Sequence, residues 1–461
     1  MEKKFETLDF TPFCPKPDHA SLYAPAFVGV SAYEYTNWRD ETTSWKTTAY
    51  LHAGLNPTDT YRLKGPDVIK FLSRICATNF DVFPVGRIKH GLVCDEKGRI
   101  VQDGVLLRTA EDEVMTYWMV PMLNYALESG KYGKFDVEGE FLTGKVFLFQ
   151  IGGPVSIDIV EGASGKDLRD LKFLRSIEAE IAGKPVRILR IGMSGTLGYE
   201  VHGAIEDAHD VYNALYDVGK PLGLRRLGSH CYPMNHSENG FPQFGVHFLE
   251  PKSEDEDLMN YLKSTPGMEF QLFAAGPMNP HGSASDDVQL FYHDPYEFGW
   301  GKMIRFDHEF IGKEALERIK EENKRQMVTL EWNVDDIADV FASQFRDEEP
   351  YKYIENPTDL NFWPDFSGAI SHDRILNNNG ETIGTTFGRQ NSAYFHRMIS
   401  IGCLNTEYAE LGTEVLVLWG EPGKRQKKIR AKVVRFPYNN ILRNETTDVA
   451  LLQKAVETVY K

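Results

Sequence analysis

The stretch KHGLVCDEKGRIVQDGVLLRT (89–109), followed at once by DEVMTYWMV (112–120), carries the fold class. Each half is a strand pattern broken by a charged, glycine-containing turn, which is how an antiparallel meander reads. Upstream, TYRLKG (60–65) alternates like another strand. Gly65-Pro66-Asp67 then opens the helix VIKFLSRI (68–75), with Asp67 near the N-terminal end, where a carboxylate is favoured. Downstream, VFLFQIGG (146–153) and VRILRIGM (186–193) are strands, and EDAHDVYNALYDVG (206–219) is a helix closed by Gly219. Strands and helices in this irregular order predict an α+β domain rather than a doubly wound parallel sheet.

Further along, residues 246–290 break the pattern with SEDEDL, STPG and a Gly/Pro/Asn/Ser-rich run, and read as an insertion or long surface excursion. Regular structure resumes with FGWGKMIRF (298–306) and the helix GKEALERIKEENKR (312–325). From about 365, GETIGTT, MISIGCL, TEVLVLWG and KIRAKVVRF are short strands between glycine turns, as in a small barrel. The expected layout is an N-terminal arm over 1–36, an α+β region over 37–245 and the excursion 246–290. Completion of the α+β core over 291–360 and a C-terminal β-barrel over 361–461 follow.

Composition bounds the function. A chain of 461 residues exceeds one ordinary core, and 42% hydrophobic with 26% charged residues is the balance of a globular enzyme. The net charge of −16 opposes nucleic acid and anionic membrane as partners. The start MEKKFETLDF lacks the apolar core of a secretion signal, and no apolar run is long enough to span a bilayer. Five scattered cysteines (14, 76, 94, 231, 403) without C-x-x-C predict a reduced, cytoplasmic chain with no disulfide framework and no zinc site. Dinucleotide, Walker, zinc-peptidase and nucleophile-elbow signatures are all absent.

What remains is an ordered series of weak motifs. It runs Gly-Pro-Asp (65–67), GRIVQDGVLL ending at Leu107, Gln150 ahead of Gly-Gly-Pro, GMSGTLGYE ending at Glu200, and SENGF ending at Phe241. FGWGKMIRFDHEFIGKEAL ending at Leu316 and GTTFGRQNSAYFHRMISIG ending at Gly402 complete it. From about residue 37 to 437 this series resembles the glycine-cleavage T-protein (aminomethyltransferase) family. Within that family HCYPMNHSENGF (230–241) resembles the tetrahydrofolate-dependent, vanillate-type aryl O-demethylases, and the spacings from Gln150 through Glu200 and Tyr232 to Phe241 match that branch. The resemblance implies a T-protein-like multi-domain fold with the folate in a central cavity, tetrahydrofolate as cofactor, and a small methoxy-aromatic or other methyl donor as substrate.

It also assigns roles. Glu200, past a glycine turn, can accept the adjacent N–H and NH2 of a pterin through one carboxylate; alone it reads as a strand-end glutamate. Gln150 offers a donor and an acceptor to the same ring, or simply closes a strand. Phe241 falls where the demethylases stack a tryptophan on the folate, and Trp300 matches a family tryptophan beside the cofactor, with a core position as the alternative. Tyr232 matches a tyrosine suited to protonating a departing phenolate; a random buried tyrosine would only satisfy a backbone group. Asp103 is the one survivor of the family's acidic pair, whose other member is here Gln102.

Departures from the pattern bear on the substrate. His236 replaces the arginine of the family's R-x-E-x-G segment, and Met193 the tyrosine of its G-Y-T-G-E turn. Near Val28 and in WMVP (118–121) no arginine is available for a benzoate, and Pro57 and Gly54 stand where the demethylases carry a histidine and a glutamine. A phenol ether without an acid group, or another methyl donor, fits better. Two rivals stand beside this reading: aminomethyl transfer or demethylation of a small sulfonium or betaine on the same fold, and a non-catalytic folate-binding accessory protein. The latter's K-G-C-Y-x-G-Q-E motif is not present.

Overall fold

Val68, Phe71, Leu72 and Ile75 stand at the i, i+3, i+4, i+7 positions of one helix face, and all four are buried in the helix Val68–Ile75. Each contributes roughly 1.5–3 kcal/mol by leaving water. They pack on Leu63, Val93, Leu106 and Val114, which are core residues of an antiparallel sheet. The computed structural model describes residues 20–26, 29–276, 278–359 and 369–454. Its first sheet has five strands in the order Ile88–Cys94, Ile100–Ala110, Glu113–Tyr117, Thr60–Lys64, Glu138–Phe141. The meander of 89–120 is its first three strands.

A six-stranded sheet follows, in the order Ser176–Ile181, Lys184–Leu189, Gly198–Ala204, Val146–Gly152, Tyr50–His52, Arg225–Arg226. All its pairs are antiparallel except the last. Phe147, Phe149, Val201 and Ile188 bury one face against the helices Ser156–Ser164 and Ala208–Gly219. The face carrying the alternate residues, among them Gln150 and Glu200, is thereby turned away from that core.

The excursion 246–290 is largely helical. Asp255 caps the helix Glu256–Ser264 by accepting from the Leu258 N–H, and Leu258 and Leu262 enter the same core as the helix Val68–Ile75. A second helix, Glu269–Ala275, follows it. The expected arm is also partly structured: Leu22–Ala26 and Gly29–Glu34 form a hairpin, and the Ser229 N–H donates to the Ala32 carbonyl. Residues 1–19 of that arm lie outside the described residues.

The closed barrel takes its strands in the order Arg325–Trp332, Arg397–Asn405, Thr382–Ser392, Asp373–Leu376, Glu414–Trp419, Lys427–Val434. Val328, Leu330, Val415, Val417, Ile429 and Val433 fill its inside, with Trp332 and Trp419 meeting edge to face at 5.7 Å. Among the described residues no helix is long and apolar enough to cross a membrane.

One glycine joins these parts. Gly312 has φ +80° ahead of the helix Lys313–Glu322, and a Cβ there would lie 2.2 Å from the carbonyl oxygen of Asp95, in the turn of the meander. Gly312→Ala adds a strained backbone to a steric clash, so a loss of about 2–4 kcal/mol is expected in urea unfolding. A change below about 0.5 kcal/mol would show that this contact yields freely.

Candidate active site

Gln150 and Glu200 are direct partners in the antiparallel ladder between Val146–Gly152 and Gly198–Ala204. Facing each other across the strands, they bond: Gln150 Nε2 donates to Glu200 Oε1 at 3.0 Å. His202, two residues on and so on the same face, donates from Nε2 to Glu200 Oε2 at 3.0 Å, and its Nδ1 lies 2.8 Å from the Tyr117 hydroxyl. The Glu200 carboxylate is thus held at both oxygens, yet a carboxylate can accept about four bonds and keeps capacity for a ligand. Gln150 Oε1 is buried with no hydrogen-bond partner among the described residues.

Both side chains line a cavity of about 580 Å³ in which Asp103, Tyr232, Phe241 and Trp300 also appear. All six residues singled out in the sequence are therefore brought together. The cavity draws on the five-stranded sheet, the six-stranded sheet and the excursion, and Phe436, just past the last barrel strand, closes part of it.

Tyr232 sits in the helix Cys231–Asn239 and donates to Gln243 Oε1 at 2.8 Å, its ring stacked on His52 at 5.1 Å. Burial, with the Glu200 carboxylate as the next cause, pushes its phenol well above the usual range. It therefore keeps its proton at any physiological pH. His236, one turn further, donates from Nδ1 to the Phe241 carbonyl at 2.9 Å, and burial pushes it down to about 4. The arginine that the family carries there is thus replaced by an uncharged ring.

Asp103 is not alone. His90 donates from Nε2 to Asp103 Oδ2 at 2.8 Å, and its ring meets Trp300 edge to face at 4.8 Å and lies 5.6 Å from Phe241. His90 and His202 are the residues that sequence reasoning missed. A signal existed for each: His202 shares a strand face with Glu200, and His90 stands diagonally opposite Asp103 across the D-E-K-G turn.

Glu238, the glutamate of SENGF, does not line the cavity. It accepts from Trp45 Nε1 at 2.8 Å and from Ser392 Oγ at 2.5 Å, and pairs with the buried Lys46. It braces the helix that carries Tyr232 against a barrel strand. Glu238→Ala would leave Lys46 buried without a counter-charge, and a loss of about 3–5 kcal/mol in chemical denaturation is the expected result. Outside the cavity, His293, Glu297 and Cys403 place potential metal ligands together, but Arg325 Nη1 already donates to Glu297 Oε1 at 3.2 Å.

The glycine turn before Glu200 is held by the far end of the chain. The Leu197 N–H donates to the Leu442 carbonyl at 2.7 Å, and the Asn444 N–H to the Gly195 carbonyl at 2.9 Å. Asn444 Oδ1 accepts from Arg190 Nε at 3.1 Å, and Arg443 lines the cavity.

A carboxylate–amide pair and aromatic walls around one cavity are the features that a folate-dependent one-carbon transferase requires of its pterin site. The model of the GCVT N-terminal domain matches residues 32–255. A sesamin methylene transferase of Sinomonas sp. is 41% identical over 439 residues, 93% of this chain and 95% of that protein. A syringate O-demethylase of Sphingobium sp. is 29% identical over 456 residues, 93% and 94% of the two chains. In structure, the aminomethyltransferase T of the Bartonella henselae glycine cleavage system matches with a TM-score of 0.63 at 16% identity, covering 92% of this chain and 96% of that one. The chain belongs to the glycine-cleavage T-protein (aminomethyltransferase) family, and it is a tetrahydrofolate-dependent one-carbon transferase. The unmet Gln150 Oε1, the spare acceptor capacity of Glu200 and the Phe241–Trp300 wall fit a pterin ring with its row of donors.

Proposed function

We propose that the protein takes its one-carbon unit from an uncharged aryl ether, and that Tyr232 protonates the oxygen that leaves. The observation that carries this is the meeting of Tyr232 with Gln150 and Glu200 in one cavity. The cations lining that cavity are already engaged or peripheral. Lys252 is paired with Glu250, Arg443 donates to the Asn239 carbonyl, and Lys302 is exposed. That leaves little to hold a benzoate carboxylate. Trp118, Val120 and Pro121 line the wall without an arginine among them, and Val28 lies outside the described residues.

Tetrahydrofolate, when bound, supplies a nucleophilic nitrogen that takes up the one-carbon unit as the carbon–oxygen bond breaks. Gln150 and Glu200 hold its pterin, His202 fixes the Glu200 carboxylate, and Phe241 and Trp300 give it an apolar wall. Tyr232 gives its proton to the departing aryl oxygen, and Asp103, held by His90, offers a carboxylate to the proton released on the other side of the exchange. Holding both reactants in one place replaces a bimolecular encounter and supplies much of the rate.

Two donors present such a carbon–oxygen bond, a methoxy group and a methylenedioxy bridge. The methoxy group breaks one and leaves a phenol. The bridge must break two and leaves a catechol, its two oxygens taking the two protons that the folate's two nitrogens would release. The second is favoured by the 41% identity with a protein named for methylene transfer from sesamin. The four described cysteines are buried free thiols, which fits the reducing cytoplasm as the place of work. The test is incubation with tetrahydrofolate and a panel of methoxyphenols and benzodioxoles, with mass-spectrometric detection of methyl- and methylene-tetrahydrofolate. Formation of either product from an aryl ether is the expected result. If no donor on the panel yields either, the aryl ether reading is wrong.

A further inference from the structure

A second polar cluster lines the same cavity; its Glu250 abuts Asp103, and its other members have no part in the chemistry above. Gln271, on the excursion helix Glu269–Ala275, donates from Nε2 to Asp59 Oδ1 at 3.0 Å. Lys252, on the 3-10 turn Pro251–Glu254, donates from Nζ to Glu250 Oε2 at 2.5 Å. The exposures of Asp59, Gln271, Glu250 and Lys252 are 4%, 7%, 8% and 4%, so all four are more than nine-tenths buried, and each lines the cavity. Gln271 Oε1 is buried with no hydrogen-bond partner among the described residues.

An unmet buried acceptor costs about 1–3 kcal/mol, and a ligand that brings a donor recovers it. The donor inventory points the same way. Gln271 Nε2 is already bonded to Asp59 and Lys252 Nζ to Glu250. A carboxylate brought into so dry a place would shed its water without meeting a free side-chain amide or ammonium donor of this cluster. Asp59 is itself well anchored, since its carbonyl accepts from the Trp118 N–H at 2.9 Å, and Trp118 holds a left-handed φ of +63° beside the cavity.

We propose that Asp59 and Gln271, with Glu250 and Lys252, form the specificity site for the part of the donor remote from the reacting carbon. This site takes a hydrogen-bond-donating group, a hydroxyl or an ammonium, and rejects a carboxylate. It rests on the reading that an aryl ether occupies this cavity. The excursion 246–290 thereby selects the substrate, because it brings Gln271, Glu250 and Lys252 to the wall.

The test is calorimetric binding to the full chain, with and without tetrahydrofolate, of four 2-methoxyphenols that differ at position 4. These carry hydroxymethyl, aminomethyl, methyl or carboxylate. The hydroxymethyl or the aminomethyl compound should bind at least about tenfold tighter than the methyl one, and the stronger of the two identifies the group read. The carboxylate should bind at least about tenfold more weakly than the methyl compound. Gln271→Leu should bring the hydroxymethyl-to-methyl ratio to within about threefold of unity, and Asp59→Asn should raise carboxylate affinity. A carboxylate bound as tightly as the methyl compound, binding by none of the four, or an unchanged ratio in both variants overturns the proposal. The expected binding order without any one-carbon transfer would overturn the aryl ether reading alone. Turnover with a flat binding order would overturn this site alone.

Discussion

Glu200→Ala should weaken tetrahydrofolate binding by about two to four orders of magnitude, the largest effect on binding expected of any single change in this protein. Two hydrogen bonds to one ionised carboxylate contribute about 1.5–3 kcal/mol each, and every 1.4 kcal/mol is tenfold in Kd. The substitution also strips Gln150 Nε2 and His202 Nε2 of their shared acceptor, which loosens the two groups that frame the pterin. Glu200→Gln is the sharper control. It keeps the shape and offers one acceptor oxygen in place of two, so a loss of about tenfold to thirtyfold is expected. Equilibrium titration of the folate with each variant, beside a thermal melt to confirm folding, checks both values. An unaltered Kd in Glu200→Ala would remove this carboxylate from the cofactor site.

Tyr232→Phe should lower kcat by about 10² to 10⁴ while tetrahydrofolate affinity stays within about twofold. The phenol lines the cavity and holds its proton, as the proposed step requires. Burial keeps that proton on, so the wild-type rate should show no downturn from Tyr232 between about pH 6 and 10. The sign follows from the direction of the shift: a phenol pushed upward loses its proton later, and the acid stays available as pH rises. Some stability should be lost as well, because Gln243 Oε1 gives up the bond from Tyr232. A variant that binds folate, stays folded and turns over normally would exclude Tyr232 as the acid.

Much of the fold was legible where one local period persists. The meander of 89–120, the helix Val68–Ile75 with its G-P-D opening and the helix Ala208–Gly219 all follow from spacing that neighbouring residues enforce, although Gly219 stays right-handed and Gly223, past a 3-10 turn, makes the left-handed close. The hairpin of Leu22–Ala26 with Gly29–Glu34 is masked by the prolines and polar residues around it, and the barrel strand Arg325–Trp332 finds its partners only in Arg397–Asn405 and Lys427–Val434. The helices of 246–290 are obscured by the charged and Gly/Pro-rich composition around them, although Asp255 and the Leu258–Leu262 spacing are a capped helix in miniature.

The site divides along the same line. Glu200, Gln150, Asp103, Tyr232, Phe241 and Trp300 could be singled out individually from motif order. Their bonding to one another could not, since strand partners fifty residues apart leave no local trace. The roles of Asp59, Glu250 and Gln271 depend on desolvation and on an unmet bond, which are properties of tertiary packing alone.

The clasp between the glycine turn 192–198 and the segment 442–444 has a consequence for the order of events during synthesis. The turn that presents Glu200 is made early on the ribosome, but its backbone partners emerge some 240 residues later. Until then the pocket lacks a wall, and the cofactor has no finished surface to grip. A fragment ending near residue 255 would carry the six-stranded sheet and Tyr232 without this clasp. Firm folate binding is therefore expected only once residues 442–444 are in place, and a fragment ending near residue 255 should bind it more weakly than the longer chain.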